Sequence, residues 1–297
     1  MSFAKKDYNL SDENNRQIQK IIDTLKMGGR SEKTIKNYVC AISRYLQFFK
    51  NVDISKLDED DIIDYIKHNY LRKKCATNTY NMNINAIKYF YSIIYKKELN
   101  NKLLPYSKRI KRLPETIDKE TFIKIFNCEK SLKHKCWLLL GYCSGLRADE
   151  ITKIKLTDIN AEEHKLKVFG KRNKERLTVL PDITIKYLRL YYKSYYFKEY
   201  NKRINQTGYL FEGYRYQYLS SKTITNYFTT IKNKHNLGKN ITFHSLRHSF
   251  ATNFIKAGGD PFTLKSMLGH SSLNTTSIYI HMGRDFNNLK GVNYDGI

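Results

Sequence analysis

A chain of 297 residues with 53 basic against 28 acidic side chains carries a formal charge of +25, and 41% of it is hydrophobic. That length suits two domains with cores of their own, and the charge asks for a polyanionic partner, nucleic acid ahead of an anionic membrane surface. No run of 18 apolar residues and no signal-peptide pattern is present, which argues against a membrane protein or a secreted one and for a soluble, cytoplasmic chain. Cys40, Cys75, Cys128, Cys136 and Cys143 form an odd set without a CxxC pair, so they read as reduced thiols rather than as a disulfide framework or zinc site.

Residues 1–11 are polar and expected to fray. Apolar residues at Ile18, Ile21, Ile22 and Leu25 predict a helix over 12–26, broken by Gly28-Gly29. Ser31 is a candidate N-cap for a second helix to about Phe49, with Ile35, Tyr38, Val39, Ile42, Tyr45 and Leu46 on its stripe. A third helix is expected from Asp58 to about Tyr70, its acidic first turn matched to the macrodipole. A fourth runs from Thr77 to Lys97 through Ile84, Ile87, Phe90 and Ile94. Residues 12–97 thus read as an all-helical bundle. Asn78 and Asn81 at the start of the last helix, beside the basic run Arg72-Lys73-Lys74, are candidates for contacts with phosphates and bases; an ordinary solvated face would carry the same residues.

Residues 98–114 break the periodicity, hold two of the four prolines and carry Lys108, Arg109, Lys111 and Arg112. This stretch reads as a basic linker able to cross a phosphate backbone, although a merely solvated linker would look alike. Helices are expected over 117–126 and 132–143, the second fully buried around Trp137. Gly145 leads a turn into a short helix at 146–151. Apolar runs at Leu166–Phe169 and Arg176–Leu180 flank GKRNKE and predict a β-hairpin with a basic tip. Further helices are expected at 183–199, 221–236, 245–257, 261–268 and 273–279. The boundaries implied are 1–107 for the first domain, a linker at about 98–114, and 115–297 for the second with its C-terminal tail.

Four short stretches carry the chemistry. Arg147 follows a buried helix and a glycine, so it either pairs with Asp149 or Glu150 or points into a cleft. His244 and His248 stand four apart on one helix face. There is no HExxH glutamate, and Arg247 beside them repels a metal ion but suits a phosphate. His270 lies in a Leu-Gly-His, and Tyr279 follows nine residues later. No GxxxxGK[ST] phosphate loop occurs.

GLRADEI at 145–151, FGKRNKERL at 169–177, HSLRHSFAT at 244–252 and LGHSSLNTTSIYIH at 268–281 resemble, in order and spacing, the tyrosine recombinases, in particular the Xer branch and simple phage-type integrases. The N-terminal bundle is similar to that family's core-binding domain, so the resemblance covers nearly the whole chain. It implies a mainly α fold with a small β-sheet, made of a helical, SAM-like core-binding domain and an α+β catalytic domain. The catalytic residues it implies are Arg147, Lys171, His244, Arg247, His270 and the nucleophile Tyr279. Arg147 and Arg247 would clamp one phosphodiester, Tyr279 would attack phosphorus to form a 3′-phosphotyrosyl bond, His244 would move the proton, His270 would bond the phosphate and Lys171 would protonate the leaving 5′-oxygen. Arg172 and Lys174 share the hairpin tip with Lys171 and are further DNA-contact candidates. Glu150 is expected to give a supporting salt bridge.

The same resemblance implies a cofactor-free reaction, with neither metal nor nucleotide, on double-stranded DNA. The expected assembly is a homotetramer on two DNA sites, or a heterotetramer with a paralogue, associated with the nucleoid and exchanging strands through a Holliday junction. With about 11 residues ahead of the first helix, no arm-binding domain is expected, and the tail after Tyr279 is a candidate either for docking on a neighbouring protomer or for a disordered end. A type IB topoisomerase would use the same chemistry without exchanging partners, and a non-catalytic DNA-binding protein could stand on the same scaffold.

Overall fold

A computed structural model describes residues 8, 10–71, 75–108, 113–170, 174–197, 208–213 and 219–269. Its contacts divide the chain into two compact units, Met1–Lys111 and Arg112–Ile297. The fold is mainly helical with one small sheet.

The first unit is built from α1 (Asp12–Met27), α2 (Glu32–Phe48), α3 (Glu59–Ile66) and α4 (Thr77–Ile94). Each start except that of α4 is fixed by a side chain. The Ser11 and Ser31 hydroxyls accept from the N–H groups of Asn14 and Thr34, and Asp58 and Asp61 cap each other's backbone reciprocally. These bonds satisfy donors that the first helical turn leaves without partners. The predicted apolar stripes meet in one core of Ile21, Leu25, Ile35, Ile42, Leu46, Ile62, Ile84, Ile87 and Phe90. Buried tyrosines thread through it: Tyr45 and Tyr91 share a 2.6 Å hydrogen bond between hydroxyls, and Tyr65 and Tyr70 share one of 3.3 Å.

Two expectations are corrected here. Helix α4 stops at Ile94, three residues early, because Lys96 turns into the left-handed region at φ 55°. The stretch expected to be linker is, through Lys108, a strap on the first unit. Leu99 and Leu104 enter its core. The Asn81 amide donates to the Ser107 carbonyl at 2.9 Å and accepts the Ser107 N–H at 2.8 Å, while Tyr80 donates to the Pro105 carbonyl and Lys88 to that of Leu104. Asn81 is therefore buried and spent on holding the strap, and its reading as a DNA contact is corrected. Asn78 and Lys108 remain exposed.

The second unit runs α5 (Lys119–Cys128), α6 (Leu132–Tyr142), α7 (Ala148–Ile151), a sheet of β1 (Ile159–Asn160), β2 (Lys165–Phe169) and β3 (Glu175–Val179), then α8 (Asp182–Tyr192), α9 (Ser221–Lys234), α10 (Phe243–Lys256) and α11 (Pro261–Leu268). Helix α6 is central, with every residue from Cys136 to Tyr142 buried. Its apolar side chains lie all round the helix, which is how a helix enclosed on every side reads. The three strands are antiparallel in the order β1-β2-β3. The hairpin β2–β3 is the predicted one, whereas β1, two residues long, is too short to leave a periodic signal. Helix α8 ends at Tyr192, not near 199, and gives way to a π turn over Lys193–Phe197. The helix expected at 273–279 lies outside the described residues. All five cysteines are free thiols. Among the described residues no helix is long and apolar enough to cross a membrane.

The polarity of β3 is inverted. Pairing Val168 with Arg176 and Leu166 with Thr178 puts Arg176 and Thr178 on the inner face beside buried Val168 and Leu166. Leu177 and Val179 face out, 55% and 37% exposed. The Thr178 hydroxyl donates to the Ser144 carbonyl at 2.8 Å, which holds the strand against the turn that opens α7.

Candidate active site

Two left-handed glycine turns build the site. Gly145, at φ 67°, ends the segment after α6, and a Cβ there would lie 2.5 Å from the Phe250 ring. Gly269, at φ 63°, caps α11, and a Cβ there would meet the Arg176 side chain at 3.0 Å. Glycine takes such angles without the penalty an L side chain incurs, and only it leaves room for these approaches. The first turn delivers Arg147 to the N-terminus of α7. The second ends α11, whose Asp260 cap, Pro261 at its first turn and closing glycine match the bounds expected from sequence.

Glu150 lies between these turns with only 4% of its side chain exposed. The Arg147 Nη1 donates to its Oε1 at 2.7 Å, and the Arg147 backbone N–H donates to its Oε2 at 2.9 Å. Arg176 grips both oxygens, Nη1 to Oε1 at 2.8 Å and Nη2 to Oε2 at 2.7 Å. Arg247 reaches Oε2 at 3.5 Å. Burial alone would raise this carboxyl, yet hydrogen bonds and charge from Arg176, with the charge of Arg247, hold it down at about 2. The salt bridge expected of Glu150 is thus a junction of three arginines.

Arg247 is 1% exposed. Its Nη1 donates to the Gly145 carbonyl at 2.8 Å and its Nη2 to the Leu268 carbonyl, so both glycine turns are tied to one guanidinium. Arg176 adds a third tie, Nε to the Met267 carbonyl at 2.7 Å. Two cations thus satisfy carbonyls at the C-terminal end of α11, where the helix dipole favours positive charge. Arg147 keeps 39% of its side chain exposed and is the guanidinium of this group that meets solvent.

His244 sits in the first turn of α10, three residues before Arg247, with its ring centroid 4.6 Å from that of His248. The residue is exposed at the surface of α10. Its imidazole is nevertheless pushed down to about 4, by the protein packed around it, then by Arg247 and Arg147, with Glu150 pulling weakly the other way. At neutral pH the ring is uncharged and one nitrogen can accept a proton. The field of two guanidiniums disfavours a metal ion on the His244–His248 pair.

The structure therefore brings together Arg147, His244 and Arg247 from motifs 97 and 100 residues apart (244 − 147 and 247 − 147). Lys174 is exposed at the hairpin. Lys171, Arg172, His270, Tyr279, Arg72, Lys73, Lys74, Arg109, Lys111 and Arg112 lie outside the described residues. The sequence reading missed Arg176. Its one signal was an arginine alternating with Thr178 in a run otherwise made of Leu177, Val179 and Leu180.

Comparison with known proteins gives the chain its family. Residues 107–284 match the model described as "Phage integrase family", and residues 18–101 match "Phage integrase, N-terminal SAM-like domain". The chain is 28% identical over 267 residues to "Tyrosine recombinase XerD" of Staphylococcus haemolyticus, covering 86% of this chain and 90% of that protein. In fold it is similar to XerH site-specific recombinase bound to palindromic difH substrate in a post-cleavage complex, at TM-score 0.70 and 19% identity, over 93% of this chain and 89% of that one. It is likewise similar to a lambda integrase tetramer bound to a Holliday junction, at TM-score 0.67 and 17% identity, over 92% and 83%. These matches do not favour the relaxing-enzyme or binding-only alternatives. The chain belongs to the phage integrase family, and it is a site-specific tyrosine recombinase of the Xer-like kind.

Proposed function

We propose that this recombinase cuts and rejoins double-stranded DNA through Tyr279, without metal or nucleotide. The observation that carries the reading is the meeting of Arg147, Arg247 and a neutral His244 around one buried carboxylate. Arg147 and Arg247 clamp the non-bridging oxygens of the scissile phosphate. A guanidinium suits this because its planar fork donates parallel hydrogen bonds, and its grip tightens as charge builds on phosphorus in the transition state. Both Nη atoms of Arg247 hold the Gly145 and Leu268 carbonyls, so its share of the clamp requires one of those bonds to yield to the phosphate, at a place where water screens its charge least.

In the cleavage step the Tyr279 oxygen bonds to phosphorus and the bond from phosphorus to the 5′-oxygen breaks. The phenolic proton passes to His244, and Lys171 protonates the leaving oxygen. A phenol titrating near pH 10 needs this help at neutral pH. His244 is a weak base while two guanidiniums bear on it alone. A phosphodiester anion seated between those cations offsets their field and raises its basicity, so the base is strengthened by substrate. His270 bonds the same phosphate. The step conserves a phosphodiester, so rejoining to a new 5′-hydroxyl and exchange through a Holliday junction need no external energy source.

The DNA grip is assigned to Asn78, Arg72, Lys73, Lys74 and Lys108 of a core-binding domain at 1–107, to Arg109, Lys111 and Arg112 after the strap, and to Arg172 and Lys174 of the hairpin in a catalytic domain at 115–297. Many lysine contacts to phosphate make binding fall steeply with salt. The solved lambda integrase tetramer on a Holliday junction supports a tetramer on two DNA sites as the working assembly, in the cytoplasm on the nucleoid. The test is covalent trapping on nicked or 3′-phosphorothiolate DNA from the chain's own genomic neighbourhood, with chelator present. A protein–DNA adduct that vanishes in Tyr279→Phe is expected. Salt-sensitive binding to those sites with no adduct would overturn the reading.

A further inference from the structure

Arg176 uses its whole guanidinium on three partners, both oxygens of Glu150 and the carbonyl of Met267. Only 7% of its side chain is exposed. It comes from the hairpin strand, whereas Glu150 comes from α7 and Met267 from α11. Glu150 in turn holds Arg147 at 2.7 Å through the oxygen that Arg176 Nη1 also contacts. A Cβ on Gly269 would lie 3.0 Å from the Cδ of Arg176, so glycine leaves the room this side chain occupies beside the turn. We propose that Arg176 is a positioning residue for the cleavage step. It locks Glu150 against Arg147 and ties strand β3 to the C-terminal end of α11, so that the hairpin strand, the phosphate clamp and the Gly269 turn take one mutual arrangement. This rests on the recombinase mechanism given above.

The geometry makes a demand that lysine cannot meet. An ammonium offers a point charge and no planar fork, so it can hold one Glu150 oxygen but not both oxygens and the Met267 carbonyl together. A loss of register of about 1 Å between catalytic groups can cost about 100-fold in rate. Binding, which spreads over many phosphate contacts, is far less sensitive to such a shift.

The test compares Arg176→Lys and Arg176→Ala with the unmodified protein and with Tyr279→Phe. The readouts are DNA affinity, the single-turnover rate of adduct formation at saturating DNA, and thermal unfolding. Affinity is expected to stay within about threefold, while the adduct rate falls about 100-fold in Arg176→Ala and about tenfold in Arg176→Lys. Adding Glu150→Gln to Arg176→Lys should slow the reaction no further than the slower single variant, because both act through one contact. An Arg176→Lys protein that is folded and forms adduct at the unmodified rate overturns the proposal. So does a loss that tracks only the unfolded fraction, with an unchanged rate per folded molecule. Absence of any Tyr279-dependent adduct from the unmodified protein overturns the mechanism itself, and is distinguished because the reference reaction is then missing.

Discussion

Among the described residues the first unit buries phenols and a few neutral polar side chains, Ser43, Asn81 and Asn83; the second also buries charge, the Glu150 carboxylate and the guanidiniums around it. Tyr45 and Tyr91 satisfy each other in a core that is uncharged throughout. Burial pushes the Tyr91 hydroxyl up to about 12 and raises Tyr45 and Tyr65 as well, so these groups stay neutral. The Glu150 cluster keeps a buried charge and offsets it with three others. A neutral network loses little when one bond is removed. A charged one loses a great deal, because the survivor is left as an uncompensated ion. The first arrangement serves a scaffold. The second serves a site that has to present positive charge to a phosphate.

Four measurements would break or sharpen that contrast. Trp137, the chain's single tryptophan, belongs to the second unit and reports its unfolding. Glu150→Ala should destabilise that unit most, by about 3–5 kcal/mol in urea titration, since Arg176 and Arg247 lose a buried counter-charge. Gly145→Ala should follow at about 2–4 kcal/mol, from a side chain forced into the left-handed region and against Phe250. Either variant unfolding like the unmodified protein would mean that the cluster is not under the constraint described.

Acid should separate the units next. Glu150, held below its ordinary range, contributes stability that is full above about pH 4.5 and drains as pH falls toward 2. His244 is lowered too, so below about pH 6.5 the unfolded chain takes up a proton that the folded ring refuses until near pH 4. The Trp137 transition should therefore weaken from about pH 6.5 downward, and His244→Asn should flatten the upper part of that slope. In the first unit the one carboxylate held below its ordinary range, among the described residues, is the exposed Asp53, bonded by Ser55. Helicity from that unit should outlast the Trp137 signal in acid. The smallest effect is expected of Tyr45→Phe, about 1–2 kcal/mol with no change in acid behaviour.

The helices were legible because their signals are local. Ser31, Asp260, Pro261 and Gly269 mark ends by capping chemistry alone. The meeting of Arg147, His244 and Arg247 was legible only through the resemblance of whole motifs, since the residues around Arg147 offer Glu150 as a partner but do not point to α10. Three features escaped for physical reasons. Asn81 is polar on a helix that also carries exposed asparagines, and its commitment to Ser107 is a tertiary bond that no periodicity reveals. The strap at 98–108 lacks regular structure, yet Leu99 and Leu104 anchor it in the core. Arg176 sits in a strand whose apolar residues face the wrong way, so alternation alone points the arginine at solvent.

That inverted strand bears on how the protein folds. Slipping β3 by one residue would turn Leu177 and Val179 inward and free Arg176 to water. The slipped sheet would bury Leu177 and Val179 but turn the buried Leu180 outward. The native register keeps Arg176 on Glu150, so the alternation of Leu177 and Val179 and the bonds of the guanidinium pull opposite ways at this edge strand. The hairpin is then among the last elements to settle, with α7 and α11 already docked. Its amides should exchange with solvent ahead of those of α6, and a chain with the Glu150 carboxylate removed should populate both registers.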